Sequence, residues 1–290
     1  NHDIVNFGHL REANTYSWRS DEVALASVLD YRFGQMRDQI QAWQATVAQG
    51  AVVFTTHPRA DLPEGEDFKG DGKPGYWTGE ASIPRSAQHE RTGIHIYQPA
   101  WDETSNSLLW SIFGYQDYTH AYVPQDRFDE VRRHGNWTFA RKDGGMVALW
   151  SWRAPSWRTY GPENPTLGME QPFDLVAAGG PDNVWIVEVG DSPTADSLDA
   201  FIADITASEP HVTQVTDGFD VTWTSPTSGD LRFGSTGPFT VDGEEQQLGD
   251  FPRHGSQWGT VDHVSRSYAL ESDDASLALD FDAMTRNVTG

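Results

Sequence analysis

The chain contains no cysteine. That excludes disulfides, thiolate-ligated zinc and a thiol nucleophile. Lysine is nearly absent: Lys69, Lys73 and Lys142 are the three present, and the other seventeen of the 20 basic residues are arginine. With 43 acidic residues the formal charge is −23. So acidic a chain lacks the basic footprint that nucleic-acid binding requires, and an anionic ligand would need a local arginine cluster. No stretch approaches the ~20 apolar residues of a membrane-spanning helix, so no membrane span is expected. An initiator Met, a signal peptide and a lipid-anchor signal are missing too. Opening on Asn1-His2-Asp3, the sequence reads as a processed product or as one piece of a longer protein. It also lacks a Gly-x-Ser-x-Gly elbow, a phosphate-binding glycine loop and an Asp-x-Asp-x-Asp-Gly calcium loop.

Aromatic residues are plentiful: fourteen Phe, twelve Trp and nine Tyr. They supply apolar area for a β-sheet core and flat faces on which sugars stack. Trp77, Trp101, Trp110, Trp152 and Trp157 are candidates for stacking, although the core is the commoner destination of each. Abundant acid and scarce lysine together suggest a salt-adapted source, where surface carboxylates are screened and hydrated; high-GC coding depletes lysine as well. Asn136-Trp137-Thr138 and Asn287-Val288-Thr289 fit the Asn-x-Ser/Thr sequon, a weak pattern alone.

Along the chain, strand-like runs recur at 51–56, 93–98, 108–113, 119–123, 136–141, 145–152, 173–178, 183–189, 211–216, 219–224, 230–234, 238–241, 266–271 and 276–281. Turn residues such as Asp143-Gly144-Gly145, Asp217-Gly218 and Asp242-Gly243 separate them, the rhythm of antiparallel hairpins. Leu198, Phe201, Ile202 and Ile205 stand at i, i+3, i+4 and i+7 after Asp196-Ser197 and predict one short amphipathic helix near 197–206. Between 15 and 47 the signals conflict. Met36, Ile40, Trp43 and Val47 recur at helical spacing before Gly50, yet the same stretch reads as strands at 15–18, 28–33 and 40–47. The expected fold is all-β: a large antiparallel β-sandwich over 15–290, in two halves with a seam near the Pro-rich 153–172. Residues 1–14 are expected to be a linker or an edge.

Two apolar runs, 51–56 and 94–97, flank a long polar loop that gathers His57, Arg59, Trp77, Arg85, Gln88 and His89. Loops on a rigid sheet carry chemistry. His57 precedes Pro58, which forbids helix there and holds the ring at a loop mouth; it is either a catalytic or binding histidine or a hydrogen-bonded edge residue. Arg85 suits a bidentate pair with a carboxylate ligand, or an internal salt bridge. Tyr118 and His120, two apart on a strand, share one face, which suits an acid/base pair. His120, Asp129 and His134 form a loose set able to ligate zinc, at a spacing that is no recognised metal pattern. Paired carboxylates of a glycosidase remain open as well, with two acids ~5–9.5 Å apart across a groove.

The ordered short motifs carry a resemblance. Asp30-Tyr31-Arg32, Gln41-Ala42-Trp43-Gln44-Ala45-Thr46, Val53-Phe54-Thr55-Thr56-His57-Pro58, Gly75-Tyr76-Trp77-Thr78-Gly79, Pro84-Arg85-Ser86-Ala87-Gln88, Thr119-His120-Ala121-Tyr122, Phe128-Asp129-Glu130 and Asn183-Val184-Trp185 together resemble the C-terminal β-rich part of heparinase II/III-like proteins. In that group an (α/α) toroid precedes an antiparallel β-supersandwich, which is the reason to prefer strands over 28–47. The resemblance implies a polysaccharide lyase. Such an enzyme acts on uronic-acid-containing glycans by β-elimination, usually with Tyr and His as base and acid. It also implies that the β-part can contribute a catalytic His and a structural metal. This sequence has no series of long amphipathic helices, so a toroid domain or chain would be a partner.

The reading is therefore a secreted or cell-surface, salt-adapted lyase acting on an acidic polysaccharide. His57, Tyr118 and His120 are expected to be catalytic, and Arg85, His89, Trp77 and Gln88 to bind substrate. No cofactor is required; a structural zinc or calcium is the one metal considered. The alternative is a non-catalytic carbohydrate-binding or structural β-module of a longer secreted protein.

Overall fold

The computed structural model describes residues 3–36, 40–58, 80–100, 115–158, 170–192 and 197–290. Strands are numbered β1 to β24 in chain order. A ten-stranded antiparallel sheet runs in the order β12 (Pro155–Arg158), β13 (Asp174–Ala178), β8 (Tyr118–Tyr122), β5 (Ala51–Thr56), β4 (Trp43–Ala48), β3 (Ala24–Leu29), β2 (Ala13–Arg19), β1 (Ile4–Leu10), β20 (His254–Ser256) and β21 (Gly259–Val261). A six-stranded sheet follows the order β6 (Arg85–His89), β7 (Thr92–Tyr97), β14 (Asn183–Asp191), β11 (Gly145–Ser151), β10 (Trp137–Lys142) and β9 (Glu130–His134). Five strands make a third sheet: β15 (His211–Val215), β16 (Gly218–Ser225), β17 (Gly229–Gly234), β18 (Phe239–Val241) and β19 (Glu244–Gln246). The C-terminal strands β22 (Ser267–Glu271), β23 (Ser276–Asp280) and β24 (Thr285–Thr289) form a fourth. Among the described residues there is one α-helix, α1 (Ser197–Thr206), at the expected place. The expected all-β sandwich is the fold observed.

The six-stranded sheet lies in the middle. Strands β7 and β11 are buried along their whole length, and β14 at every residue except Asp191. A strand alternates its side chains between two faces, so one strand here feeds two cores. On β14, Trp185, Val187 and Val189 enter the core shared with the ten-stranded sheet, beside Trp43, Val53 and Leu175. Val184 and Ile186 enter the core shared with the five-stranded sheet and α1, beside Trp137, Phe139, Phe201, Trp223 and Phe233. The continuous apolar runs of β11 and β14 follow from this double burial.

Within the stretch of conflicting signals, Trp43–Ala48 is a strand. Trp43, Ala45 and Val47 are buried while Gln44, Thr46 and Ala48 are half-buried, a period of two that packing enforces over the local helical spacing. Strand β3 stops at Leu29, short of the expected 33, because Asp30 and Arg32 take left-handed backbone angles (φ 42° and 46°). Residues 1–14, expected to be a linker or an edge, contain β1, which pairs with β2 and β20. The start of the expected seam, near 153–172, is β12, paired with β13; its Pro155 is tolerated because β12 is the edge of its sheet. The strand expected at 108–113 lies outside the described residues.

Polar side chains inside the first core are joined to one another. Trp43 Nε1 donates to Thr55 Oγ1 at 2.7 Å, and Thr55 Oγ1 lies 3.1 Å from the Tyr97 hydroxyl. Trp185 Nε1 and Asn183 Nδ2 both donate to Thr119 Oγ1, at 2.9 and 3.0 Å. These bonds tie the ten-stranded sheet to the middle sheet and specify which residues face each other. Thr55→Val keeps the shape but leaves the Trp43 N–H and the Tyr97 hydroxyl buried without the Thr55 oxygen. At ~1–3 kcal/mol for each buried group left unpaired, the variant is expected to be roughly 2–4 kcal/mol less stable. Chemical denaturation checks this; a loss below ~1 kcal/mol would show that the bonds do not matter to stability.

Candidate functional site

The strongest cluster sits on β12, β13 and β8, on the face of the ten-stranded sheet turned away from the middle sheet. Leu175, Ala177, Ala121 and Val123 belong to the first core; by alternation Asp174, His120 and Tyr122 take the other face. In register, Asp174 stands opposite Arg158 on one side and Tyr122 on the other, with His120 opposite Val176. Asp174 can thus reach a direct neighbour and a diagonal one. It does both. His120 Nδ1 is 2.9 Å from Asp174 Oδ1, and Arg158 Nε is 3.1 Å from Asp174 Oδ2. The Arg158 guanidinium lies 4.6 Å from the centre of the Tyr118 ring, and that ring meets the His120 ring edge-on at 5.6 Å. Asp174 is fully buried and His120 is 2% exposed.

No family model, curated protein or solved structure matches the chain. The chemistry of the cluster therefore carries the functional argument. A phenol and an imidazole in contact can exchange protons with a bound molecule as base and acid, and the Arg158 cation beside them favours negative charge. Spacing alone put Tyr118 and His120 on one face; it missed Asp174 and Arg158. A signal for Asp174 existed: a lone carboxylate inside the apolar run Phe173-Asp174-Leu175-Val176 must have partners to be buried.

His57 lies near this cluster, just past the end of β5, in a different role. Its Nε2 is 2.8 Å from the Gln116 carbonyl oxygen, and its Nδ1 is 2.7 Å from Ser82 Oγ. A carbonyl can only accept, so Nε2 carries the hydrogen and Nδ1 accepts from the serine. Both nitrogens of the neutral ring are occupied. Burial pushes its pKa down to about 4, against the Gln116 bond, which raises it. The backbone N–H of His57 donates to Glu80 Oε2 at 2.7 Å. Glu80 is buried, and desolvation holds its carboxyl well above its ordinary value of 4.5. Sequence reading passed over Glu80, which pairs with Pro58 across an isolated bridge.

The remaining candidates disperse. Arg85 holds Asp30 with two bonds of 3.0 and 3.2 Å, donates to the carbonyls of Gly234 and Gly237 at 2.7 and 2.8 Å, and lies 4.6 Å over the Phe233 ring. It is the internal salt bridge of the two readings. Gln88 donates to the carbonyls of Leu25 and Glu90. His89 pairs with Thr92, five residues along β7 from Tyr97, or ~17 Å at the rise of a strand. Neither joins the Tyr118–His120 cluster, whose neighbour Thr119 bonds Asn183, opposite Tyr97. Trp152 packs on Phe219 in the second core and Trp157 against the first; Trp77, Trp101, Trp110 and Arg59 lie outside the described residues. The metal set does not assemble. Asp129 is bound by Lys142 Nζ at 2.6 Å and by the Asp143 N–H, while His134 ends the edge strand β9. Among the described residues no group of three His, Asp or Glu is placed to hold a metal ion.

The two buried groups give opposite pH dependences. Glu80 keeps its proton in the folded state to a higher pH than in the unfolded chain, so it erodes stability as pH rises above 4.5. His57 stays neutral when folded down to about 4, so its contribution is lost as pH falls from 6.5 towards 4. Glu80→Gln is therefore expected to be more stable than the parent at pH 7.5 and to lose that advantage below pH 4.5. His57→Gln is expected to flatten the fall in stability between pH 6.5 and 4. Thermal unfolding across that range measures both; parallel profiles for parent and variants would contradict the assignment.

Proposed function

We propose that the protein is a polysaccharide lyase, related to heparinase II/III-like proteins and acting on a uronic-acid-containing polysaccharide by β-elimination. The observation that carries this reading is the contact between Tyr118 and His120, with Arg158 over the tyrosine ring. In the proposed step a base takes the proton from C5 of the uronate, the C4–O bond breaks, and a C4–C5 double bond forms. The departing oxygen takes a proton from an acid. Tyr118 and His120 are the pair proposed for these transfers, and the Arg158 charge favours the carboxylate-bearing ring. His57 is assigned to holding the loop beside them, since both its nitrogens are engaged. A secreted, salt-adapted setting and a helical toroid partner belong to the same proposal.

A second reading is a non-catalytic carbohydrate-binding module. A groove of about 740 Å³ crosses the five-stranded sheet, lined by His211, Asp220, Thr222, Arg232 and Thr240 among others. The polar side chains in its lining suit hydroxyl groups, and the near-complete burial of His120 favours a structural role for that residue.

The conjugated product of β-elimination absorbs near 230 nm, roughly where no intact uronate polymer does. The expected outcome, in high salt with a panel of uronate polysaccharides, is a rise in that absorbance. Tyr118→Phe and His120→Ala should each slow it by ~10²–10⁴. No rise, together with retained binding to one polymer that Arg232→Ala abolishes, would replace the lyase by the binding module.

A further inference from the structure

We infer that Asp174 is a positioning residue that fixes His120 with its hydrogen on Nδ1 and its lone pair on Nε2, and holds that ring in register with Arg158. The effect on rate rests on the β-elimination reading; the effect on the ring does not.

Several observations meet at this residue. Asp174 is fully buried on an interior strand of the ten-stranded sheet. Burying a carboxylate costs several kcal/mol (roughly, after relaxation) unless partners compensate. Arg158, directly opposite on β12, compensates with Nε at 3.1 Å from Oδ2. The other oxygen, Oδ1, meets Nδ1 of His120, the diagonal neighbour on β8, at 2.9 Å.

A carboxylate accepts and does not donate when ionised, so the shared hydrogen of a neutral imidazole belongs to Nδ1. The basic nitrogen is then Nε2. Tyr118 stands on the same strand and face, its ring edge-on to the imidazole and stacked on by Arg158. One buried carboxylate thus orients both groups that flank the tyrosine. If His120 gains a proton during the reaction, the same carboxylate stabilises the imidazolium. Asn at this position would keep the shape but could turn its amide and donate to Nδ1, which moves the hydrogen to Nε2.

The test uses ¹⁵N-histidine-labelled protein, with the His120 signals identified by their loss in His120→Gln. The expected spectrum of the neutral ring shows a hydrogen-bearing Nδ1 and a hydrogen-free Nε2, and Asp174→Asn shifts the population towards the other tautomer. In the 230 nm assay the same variant is expected to lose ~10²–10⁴ in kcat with KM within about twofold, and Asp174→Glu to recover part of it. Arg158→Gln, which leaves the carboxylate in place, should keep the parent tautomer. A parent His120 with its hydrogen on Nε2, or an Asp174→Asn protein with an unchanged tautomer, would overturn the inference. If Asp174→Asn fails to fold, the parent and Arg158→Gln spectra still decide it. Absence of elimination by the parent on every polymer would sink the lyase reading alone, because the nitrogen spectra are read without substrate.

Discussion

The central strands of the middle sheet have no face left for water, and the rest of the structure answers to that constraint. Strands β7, β11 and β14 carry large side chains on both sides, so two further layers must cover them. Any polar group that enters must find its partner inside. Thr119 illustrates how: one hydroxyl oxygen on the ten-stranded sheet receives both an indole and an amide from the middle one. Glu188 does the same on the opposite face. Its carboxylate accepts from the hydroxyls of Thr92, Ser225 and Thr227, which bridge the middle and five-stranded sheets. These bonds add little net energy apiece, but a wrong register would orphan them, and orphaned groups are expensive.

Against that frame of paired layers, the candidate site stands on the remaining face of the ten-stranded sheet. Strand β8 serves two masters by alternation. Thr119 and Ala121 hold it to the core, while Tyr118, His120 and Tyr122 project the other way. A site built on a strand locked this firmly is held in place by the sandwich beneath it. The partners of His120 and Arg158 converge on Asp174 because β13 runs between their strands.

Much of the fold was legible because the middle strands are long and apolar, and because Asp-Gly turns part β10 from β11, β15 from β16 and β18 from β19. The helix α1 was legible from four residues at helical spacing. Among the strands that escaped notice, Glu130–His134 and Thr285–Thr289 are edge strands with little to bury, and Arg85–His89 has one apolar residue, Ala87. The site was legible only where chemistry lay within one strand, as for Tyr118 and His120. Asp174 and Arg158 are 54 and 38 positions from His120, by subtraction of their numbers, and pairing between non-adjacent segments is set by the sheet order. Arg85 and His57 have the residue types of a binding site, but their partners are Asp30, backbone carbonyls and a serine, which no sequence pattern distinguishes.

Arg85 has a mechanical consequence. It springs from the edge strand of the middle sheet, grips Asp30 just past β3 of the ten-stranded sheet, and hooks two carbonyls at the β17–β18 turn of the five-stranded sheet. A single guanidinium therefore pins three layers at one corner, like a rivet through stacked plates. A force that slides one plate over another at this corner loads charge-assisted bonds in two directions together, so the three layers meet shear there as one body.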